Sequence, residues 1–313
     1  MDKSKVIAVV MGGPSAEEEI SLATGKSIAI ALRERGYQIK EINLDPANFA
    51  QQLKDSGAEV VFNAVHGLYG EDGRLQSVLE MMGIPYTGSG VLSSAMSMNK
   101  IASKRVFLGS DVPTPDFLFL FAKDREKMDM AAAIREKFAM PVVIKPASQG
   151  SSIGMSIEKD PAKLEEDLEL AFRYSDEVLV EEYIPGPETS VCMMRNEEGG
   201  VTVWPIILIK PHADFYDFNA KYAAGGADHI IPAPLPEEVL EELRRVSVKA
   251  YEVLDCSGVA RTDCIIAADG KCYVLEMNTV PGMTPTSLVP DAAAAAGVSF
   301  GDLCEMILDS AHN

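Results

Sequence analysis

Two acidic side chains in the last sixth of the chain are spaced as partners across a β-hairpin. Asp269-Gly270 separates two β-prone runs, and Asp-Gly is a strong signal for a two-residue hairpin turn. With that turn Ala267 would face Cys272 and Asp263 would face Glu276. Directly opposed carboxylates repel each other unless something neutralises them. A hard divalent cation is therefore predicted between them.

Asn278 adds a third oxygen donor to this hairpin. It follows Glu276 by two residues, so both side chains point to the same face of the strand. Carboxylate and amide oxygens form the donor set that Mg²⁺ prefers. The spacing predicts a metal site on Asp263, Glu276 and Asn278, with a solvated pair of surface acids as the alternative.

A strand, a glycine turn and a helix are predicted at the N-terminus. Val6 to Met11 is a buried-strand run, and Ser15 with Glu18 reads as a capping box that opens a helix through about Arg35. The turn lacks the G-x-G-x-x-G order, which disfavours a dehydrogenase. Glu17 would lie in the first helical turn, either complementing the helix dipole or binding a substrate ammonium.

The same alternation continues through the first 90 residues. Strands are predicted at 38–44 and 60–65 around a helix at 46–56, as in a parallel sheet covered by helices. Ligands of such sheets bind beyond the carboxyl ends of the strands, and His66 directly follows the third strand. A solvated loop histidine is the other reading of that residue.

A lysine, a small polar loop and an acid-rich strand follow in the middle of the chain. Lys145 ends an apolar strand, and the Gly/Ser loop 147–154 offers backbone N–H groups to phosphates without the Walker order. The run 177–184 mixes acids with apolar residues and leaves at a Pro/Gly turn. Residues 211–236 show little periodicity and several aromatics, which predicts a lid.

Composition narrows the class of protein. A net charge of −19 disfavours a nucleic-acid or anionic-membrane partner, and 313 residues with 47% apolar content suggest two or three domains. The apolar run after the N-terminus is too short for a signal or membrane segment, so a cytoplasmic location is expected. Five cysteines without a C-x-x-C pair indicate reduced structural thiols.

Ordered motifs along nearly the whole chain resemble the D-alanine–D-alanine ligase family. They are Gly12-Gly13-Pro-Ser-Ala-Glu17, His66-Gly67, Gly70-Glu-Asp-Gly73, Tyr86-Thr-Gly-Ser-Gly90, Ser97-Met-Asn-Lys100, Lys145-Pro with Gly150-Ser-Ser, and Glu276-Met-Asn278-Thr-Val-Pro-Gly-Met-Thr. The resemblance implies a mixed α/β and α+β architecture, in which a Rossmann-like domain precedes a two-subdomain ATP-grasp fold. The expected units are 1–99, 100–187 and 188–313.

The resemblance also implies a nucleotide site with metal. Two Mg²⁺ or Mn²⁺ ions would be bound by the hairpin acids and Asn278, with Glu276 bridging. The remaining ATP contacts are implied residue by residue: Lys100, Lys145 and Lys221 at the phosphates, Glu181, Glu182 and Ile184 at the adenine, and Glu188 at the ribose.

The substrate residues are implied in the same way. Glu17 would bind the ammonium of the first D-alanine, and Ser151 would link it to Tyr222 on the lid. His66 would lie near the reacting carboxyl. Arg261 and the Gly282 N–H would stabilise the oxyanion, and Ser287 with Leu288 would hold the carboxylate of the second D-alanine.

The activity that the resemblance implies is an ATP-dependent joining of two D-alanines for peptidoglycan precursor synthesis. A ligase that joins D-alanine to D-lactate is the nearest alternative, which Tyr222 disfavours. A nucleotide-binding module without turnover is a second alternative, but it would have little use for Arg261, Ser287 and Glu17. A homodimer is expected from the family.

Overall fold

The N-terminal β-α pattern forms a parallel sheet, as predicted. The computed structural model describes residues 1–150, 152–196, 198–211 and 227–312. In the sheet, β1 (Val6–Met11) lies between β2 (Gln38–Asn43) and β3 (Val60–Asn63). Three helices accompany these strands: α1 (Glu18–Glu34), α2 (Phe49–Ser56) and α3 (Arg74–Met82).

The capping box predicted for α1 is wrong. Helix α1 begins at Glu18, and Glu17 is the residue before it, with no side-chain cap. The Ser15 hydroxyl donates instead to the His66 carbonyl oxygen at 3.1 Å and accepts from the Glu17 N–H at 3.2 Å. Ser15 therefore ties the glycine turn to the end of β3, which holds Glu17 outside the helix.

An antiparallel four-stranded sheet follows two short helices. Its order is β4-β7-β5-β6. The elements of this region are α4 (Val91–Met98), α5 (Lys100–Gly109), β4 (Phe117–Phe121), a 3₁₀ turn (Ala122–Asp124), α6 (Met130–Lys137), β5 (Val142–Pro146), β6 (Ser156–Glu158), α7 (Leu164–Phe172) and β7 (Glu177–Glu182). β7 starts at the residue expected for the acid-rich strand and ends two residues earlier.

The remaining strands form a six-stranded antiparallel sheet. Five of them run in the order β11-β10-β8-β12-β13, and β9 pairs with β8. The elements are β8 (Glu188–Arg195), β9 (Val201–Val203), β10 (Ile207–Pro211), β11 (Ala227–Ile230), α8 (Glu237–Val253), β12 (Val259–Ile266), β13 (Cys272–Asn278), α9 (Leu288–Ala295) and α10 (Phe300–Asp309).

The predicted lid at 211–236 is partly regular structure. Strand β11 occupies 227–230 and pairs with β10, with Pro211 opposite Ala227. Residues 212–226, which include Lys221 and Tyr222, lie outside the described residues.

Two of the three sheets share a hydrophobic core, and the four-stranded sheet has a separate one. Ile7 and Val9 of β1 pack in one cluster with Cys192 of β8 and with residues of α9 and α10, so the parallel sheet and the six-stranded sheet share a core. The four-stranded sheet has a core of its own, closed by α6 and α7. Helix α5 sends Phe107 into a further cluster against the six-stranded sheet.

The hairpin formed by β12 and β13 has the predicted pair but a different turn. Asp263 faces Glu276, which is confirmed, whereas Cys272 faces Ile266 and not Ala267. The reason is a three-residue loop in which Gly270 takes a φ of +83°, the familiar type I turn followed by a left-handed residue. A bulge between Asp263 and Cys264 then restores the predicted pairing.

Two composition-based expectations can be compared with the fold. All five cysteines are buried and free, which confirms the prediction of structural thiols. In the parts of the chain that the structure describes, no helix is long and apolar enough to cross a membrane.

The alanine run ending at Ala296 lies mostly in α9, where Ala292 and Ala293 are buried as packing residues.

Candidate active site

Two adjoining cavities lie where the three sheets meet. The large cleft, about 240 Å³, separates the four-stranded sheet from the six-stranded sheet. The small cavity, about 50 Å³, lies between the loops that follow β1 and β3 and the strands β12 and β13. Lys100, Gln149 and Glu276 line both, so the two cavities adjoin at these residues.

The large cleft collects the residues expected to contact ATP. Those among the described residues are Lys100, Lys145, Glu181, Glu182, Ile184 and Glu188. Its apolar walls come from side chains that were not predicted as site residues: Val143, Met155, Ile157, Ile209, Ile265 and Leu275. The cleft thus combines an apolar slot with cations and acids at its edges.

A buried carboxylate joins two lysines beside the large cleft. Glu181 is 2% exposed, with one oxygen paired to Lys104 and the other 2.5 Å from the Lys145 Nζ. Burial alone would raise the pKa of Glu181, but the two ammonium groups lower it below its usual value. Burial lowers the pKa of Lys104 to about 8. Glu181 therefore stays ionised.

The pKa of Lys145 moves in the opposite direction. Burial alone would lower it, but Glu181, Glu276 and Glu188 outweigh burial and raise it. At the next residue of β7, the Glu182 carboxylate accepts the Asp116 N–H at 2.9 Å. Lys145 is consequently a firmly charged group in a cleft rimmed by acids.

The hairpin acids are held by cations of the chain. Arg261 binds Asp263 through two N–H···O contacts of 2.9 Å, and the Ser190 hydroxyl donates to the same carboxylate at 2.5 Å. The Glu276 carboxylate lies 3.0 Å from the Lys100 Nζ. The opposed acids are thus neutralised within the protein, one by an arginine and one by a lysine.

The donor set of the hairpin suits a hard metal ion. Among the described residues, no group of three or more His, Cys, Asp or Glu side chains is arranged to hold a metal. The predicted set has only two acids and an amide, Asn278, whose Oδ1 accepts the Val280 N–H at 3.1 Å. Since all three supply oxygen donors, the chemistry of the residues present fits Mg²⁺.

His66 is a buried group with defined hydrogen bonds. Its Nδ1 donates to the Val280 carbonyl oxygen and its Nε2 accepts from the Thr24 hydroxyl, both at 2.9 Å. The carbonyl oxygen can only accept, so the ring carries its proton on Nδ1. Burial lowers the pKa of His66, although Glu17 opposes this. His66 is therefore a neutral group that ties β3 to the chain after β13, not a solvated loop residue.

Glu17 and Glu71 are two of the acids that line the small cavity. A Cβ on either Gly67 or Gly150 would come within 2.7 Å of the Glu17 carboxylate, so both backbones approach this acid closely. Burial, followed by repulsion from Glu17, raises the pKa of Glu71 to about 8. The small cavity is thus lined by the carboxyl groups of Glu17 and Glu71 and also by Arg261.

The predicted binding elements for a second carboxylate lie after β13. Ser287 is the residue before helix α9, and its hydroxyl accepts the Thr284 N–H at 3.0 Å. Leu288 is the first residue of α9, with its side chain in the core and its N–H among the helix-start donors that have no partner within the helix. A Cβ on Gly282 would lie 2.8 Å from the Ser287 hydroxyl oxygen, so these two residues adjoin.

Family models match most of the chain. One described as the C-terminus of D-Ala–D-Ala ligase matches residues 106–309, and one described as its N-terminus matches residues 45–89. The chain belongs to the D-alanine–D-alanine ligase family. The ligase of Moorella thermoacetica is 46% identical over 97% of this chain and 98% of its own length. That of Geotalea uraniireducens is 44% identical over 99% and 96%.

Solved structures of family members have the same fold. The D-alanine–D-alanine ligase of Bacillus anthracis in complex with ATP aligns with a TM-score of 0.84 and 34% identity, over 98% of this chain and 97% of that one. Another structure of this ligase gives a TM-score of 0.85 at 37% identity, with the same coverage. The predicted ATP-grasp fold is therefore confirmed.

Most of the residues that the resemblance implied line the two cavities, together with others that it did not include. Ser151, Lys221 and Tyr222 lie outside the described residues. Lys104, Glu71, Thr24 and Ser190 also contact residues of the site, and they were not predicted. Lys104 had a readable signal, because it follows Lys100 by one helical turn. Glu71 lies inside the quoted Gly70-to-Gly73 motif, but nothing in its spacing revealed its burial.

Proposed function

We propose that this protein joins two D-alanines to D-alanyl-D-alanine with ATP, for peptidoglycan precursor synthesis. The observation that carries the proposal is the meeting of the large cleft and the small cavity at Lys100 and Glu276. A nucleotide in one and an amino acid in the other would bring phosphate and carboxylate together there. The ATP complex of the Bacillus anthracis ligase supports ATP as the nucleotide.

In the first half-reaction, a carboxylate oxygen of the first D-alanine attacks the γ-phosphorus of ATP. The bond to the bridging oxygen breaks, ADP leaves, and D-alanyl phosphate forms. Glu17 accepts hydrogen bonds from the substrate ammonium in the small cavity. Lys100 and Lys145 stabilise the charge of the transferring phosphoryl group, since phosphoryl transfer is catalysed chiefly by position and charge. Lys221 is proposed to do the same.

In the second half-reaction, the amine of the second D-alanine attacks the acyl carbon. The amine loses a proton, phosphate leaves, and the dipeptide remains. Arg261 and the Gly282 N–H stabilise the tetrahedral oxyanion, a kind of contact worth roughly 3 to 4 kcal/mol each. Ser287 and the Leu288 N–H hold the incoming carboxylate, and His66 lies beside the reacting carboxyl.

Asp263, Glu276 and Asn278 are proposed to hold two Mg²⁺ or Mn²⁺ ions. When bound, these cations would supply positive charge to the phosphates. Glu181, Glu182 and Ile184 would contact the adenine and Glu188 the ribose. Ser151 and Tyr222 are proposed to link Glu17 to a lid that excludes water, since water would hydrolyse the acyl phosphate.

Three further features belong to this proposal. The units are taken as 1–99, 100–187 and 188–313, which agrees with a change of sheet between β7 and β8. A cytoplasmic location is supported by five free, buried thiols. The homodimer is proposed from the family.

One assay tests the activity. Purified protein is mixed with ATP, Mg²⁺ and D-alanine, and phosphate release is compared with mixtures that contain L-alanine or no amino acid. Release that depends on D-alanine, with D-alanyl-D-alanine as the product, is expected. Equal rates in the three mixtures would reject the function. Adding D-lactate beside D-alanine and looking for an ester product distinguishes the alternative ligase.

A further inference from the structure

Lys104 connects the two sheets that flank the large cleft. It lies on α5, whose Phe107 packs against the core of the six-stranded sheet. Its own ammonium pairs with Glu181, on β7 of the four-stranded sheet. The Lys104 side chain is only 1% exposed and lies outside the walls of the cleft. It can therefore influence a ligand only through other residues.

The Lys104 ammonium has an acceptor for each of its three N–H donors. Besides Glu181, these are the Thr114 hydroxyl oxygen at 2.6 Å and the Pro115 carbonyl oxygen at 3.3 Å. The Thr114 hydroxyl in turn donates to the Val274 carbonyl oxygen at 2.7 Å. Because Val274 lies on β13, two residues before Glu276, the contacts of Lys104 extend from the adenine side of the cleft to the metal hairpin.

The arrangement also sets the charge beside the cleft. Glu181 carries one negative charge and contacts two ammonium groups, one through each carboxylate oxygen. A Glu181–Lys145 pair alone would be neutral, whereas Lys104 makes the three-residue cluster positive. Burying a charged lysine costs free energy unless the lysine is paired. An ion pair that served stability alone would therefore need only one lysine beside Glu181.

We propose that Lys104 is a positioning residue for nucleotide binding. By holding one oxygen of Glu181, it prevents that carboxylate from turning both oxygens onto Lys145. Lys145 then keeps positive charge for a polyphosphate, and Glu181 keeps a fixed position in the cleft. This inference rests on the proposed use of ATP, and it adds a residue that touches neither nucleotide nor amino acid.

The test compares Lys104→Met and Lys104→Gln with a matched control on the same helix. Arg105→Met removes a neighbouring positive charge from an exposed side chain that stacks near Phe119. Both Lys104 variants are expected to raise the KM for ATP about tenfold, with kcat within about threefold and the KM for D-alanine unchanged. The control should match the wild type. Lys104→Gln retains an amide that can bond Thr114 or Pro115 if the methionine variant fails to fold.

A second background separates positioning from general stabilisation. In Glu181→Gln protein, adding Lys104→Met should change the KM for ATP less than twofold, because the residue through which Lys104 acts has already lost its charge. An equal effect in both backgrounds would overturn the proposal. Wild-type KM values in both Lys104 variants would also overturn it. A lower kcat together with higher KM values for both ATP and D-alanine, in step with a fall in Tm, would do the same.

Direct titration keeps this test separate from that of the proposed function. The Kd of ATP with Mg²⁺ is measured by calorimetry for the wild type, the Lys104 variants and Arg105→Met. If the wild type binds ATP but shows no release that depends on D-alanine, the ligase function fails while the Kd values still decide the role of Lys104. A higher Kd for ATP in both Lys104 variants, with the wild-type Kd in Arg105→Met, supports the positioning role. A Kd equal to that of the wild type in both Lys104 variants refutes it.

Discussion

Lys100 and Lys145 reach the same cleft, yet each ammonium already has an acidic partner. Lys100 lies 3.0 Å from Glu276 and Lys145 lies 2.5 Å from Glu181. A polyphosphate must therefore compete with carboxylates for both lysines. Positive charge placed on Glu276 would release Lys100, whereas Lys104 already shares the charge of Glu181. The ion pairs of Glu276 and Glu181 thus determine how much positive charge on Lys100 and Lys145 is available to a ligand in the cleft.

Removing the charge of the hairpin acids should abolish turnover without unfolding the protein. Glu276→Gln and Asp263→Asn keep the size of each side chain but lose the opposed charges. Release of phosphate with D-alanine is expected to fall by about 100-fold or more, since charge stabilisation at such sites has that magnitude. Binding of Mn²⁺, followed by electron paramagnetic resonance, should weaken in parallel.

The control for these variants is Asp269→Asn, in the exposed turn of the same hairpin. It should leave both metal binding and turnover unchanged. Circular dichroism checks that the variants remain folded. Normal phosphate release in both Glu276→Gln and Asp263→Asn would contradict the metal assignment.

Glu71 should make the protein less stable as the pH rises towards 8. Burial raises its pKa from 4.5 to about 8, so the unfolded chain releases the proton at lower pH than the folded chain does. Unfolding therefore becomes more favourable as pH increases through this window. Glu71→Gln lacks the effect, and its Tm should fall less than that of the wild type between pH 6.5 and pH 8.5.

The charged neighbours of Glu71 do not reverse this expectation. Glu17 raises the pKa of Glu71, while Arg261 and Lys100 lower it less strongly than burial raises it. Because the pKa of His66 is lowered from 6.5, its protonation changes stability only below the pH window of this experiment. The difference between wild type and variant should exceed about 1 kcal/mol, since one pKa unit corresponds to about 1.4 kcal/mol. Parallel Tm curves above pH 6.5 would show that Glu71 titrates normally.

At the scale of elements, local patterns predicted the strands and helices better than the contacts between them. The Asp263–Glu276 pairing was predicted from a two-residue turn, and it holds because an extra loop residue is offset by a bulge. Neither irregularity has a signal in the alternation of side chains. Ser15 shows the same limit, because its bond to the His66 carbonyl depends on residues 51 positions apart.

The pairing of Lys104 with Glu181 was likewise not predictable. The helix that carries Lys104 and the strand that carries Glu181 are separate in sequence, and only the tertiary fold brings their side chains together. Composition also favours exposed lysines, so a fully buried one contradicts the usual expectation. The resemblance to a family implied residues that would touch ligand, but it did not include Lys104.

In the turn between β12 and β13, a side chain at Gly270 would have room but would strain the backbone. Gly270 has a φ of +83° with open space around it, so Gly270→Ala meets no atom but forces alanine into a left-handed conformation. A loss of roughly 1 kcal/mol in the free energy of unfolding is expected, measured by denaturant titration. Turnover should remain, since the bulge beyond the turn still sets the Asp263–Glu276 pair.

Gly109→Ala is the matched control for the hairpin variant. Gly109 ends helix α5, also with open space, and its φ is not in the left-handed region. It should be neutral or stabilising by a few tenths of a kcal/mol. Equal destabilisation by both substitutions would mean that the positive φ of Gly270 carries no special cost.

At the scale of the whole molecule, the distribution of cores decides which part can move. The parallel sheet shares buried side chains with β8, α9 and α10, and Arg35 adds ion pairs to Asp302 and Glu305 on α10. The four-stranded sheet has its own core and meets the six-stranded sheet across the large cleft. When the cleft opens, the four-stranded sheet should therefore move as a unit relative to the parallel and six-stranded sheets, which stay together.

This distribution predicts opposite behaviour for two fragments of the chain. Residues 116–186 contain the whole core of the four-stranded sheet, so this fragment should fold alone, with marginal stability expected for its small size. Residues 1–99 lose the side chains of β8, α9 and α10 that cover Ile7 and Val9, so this fragment should stay unfolded or aggregate. Circular dichroism and thermal melting of both fragments measure the difference. A cooperative melt of 1–99 with none for 116–186 would contradict the shared core and place the mobile boundary between the parallel sheet and the rest of the protein.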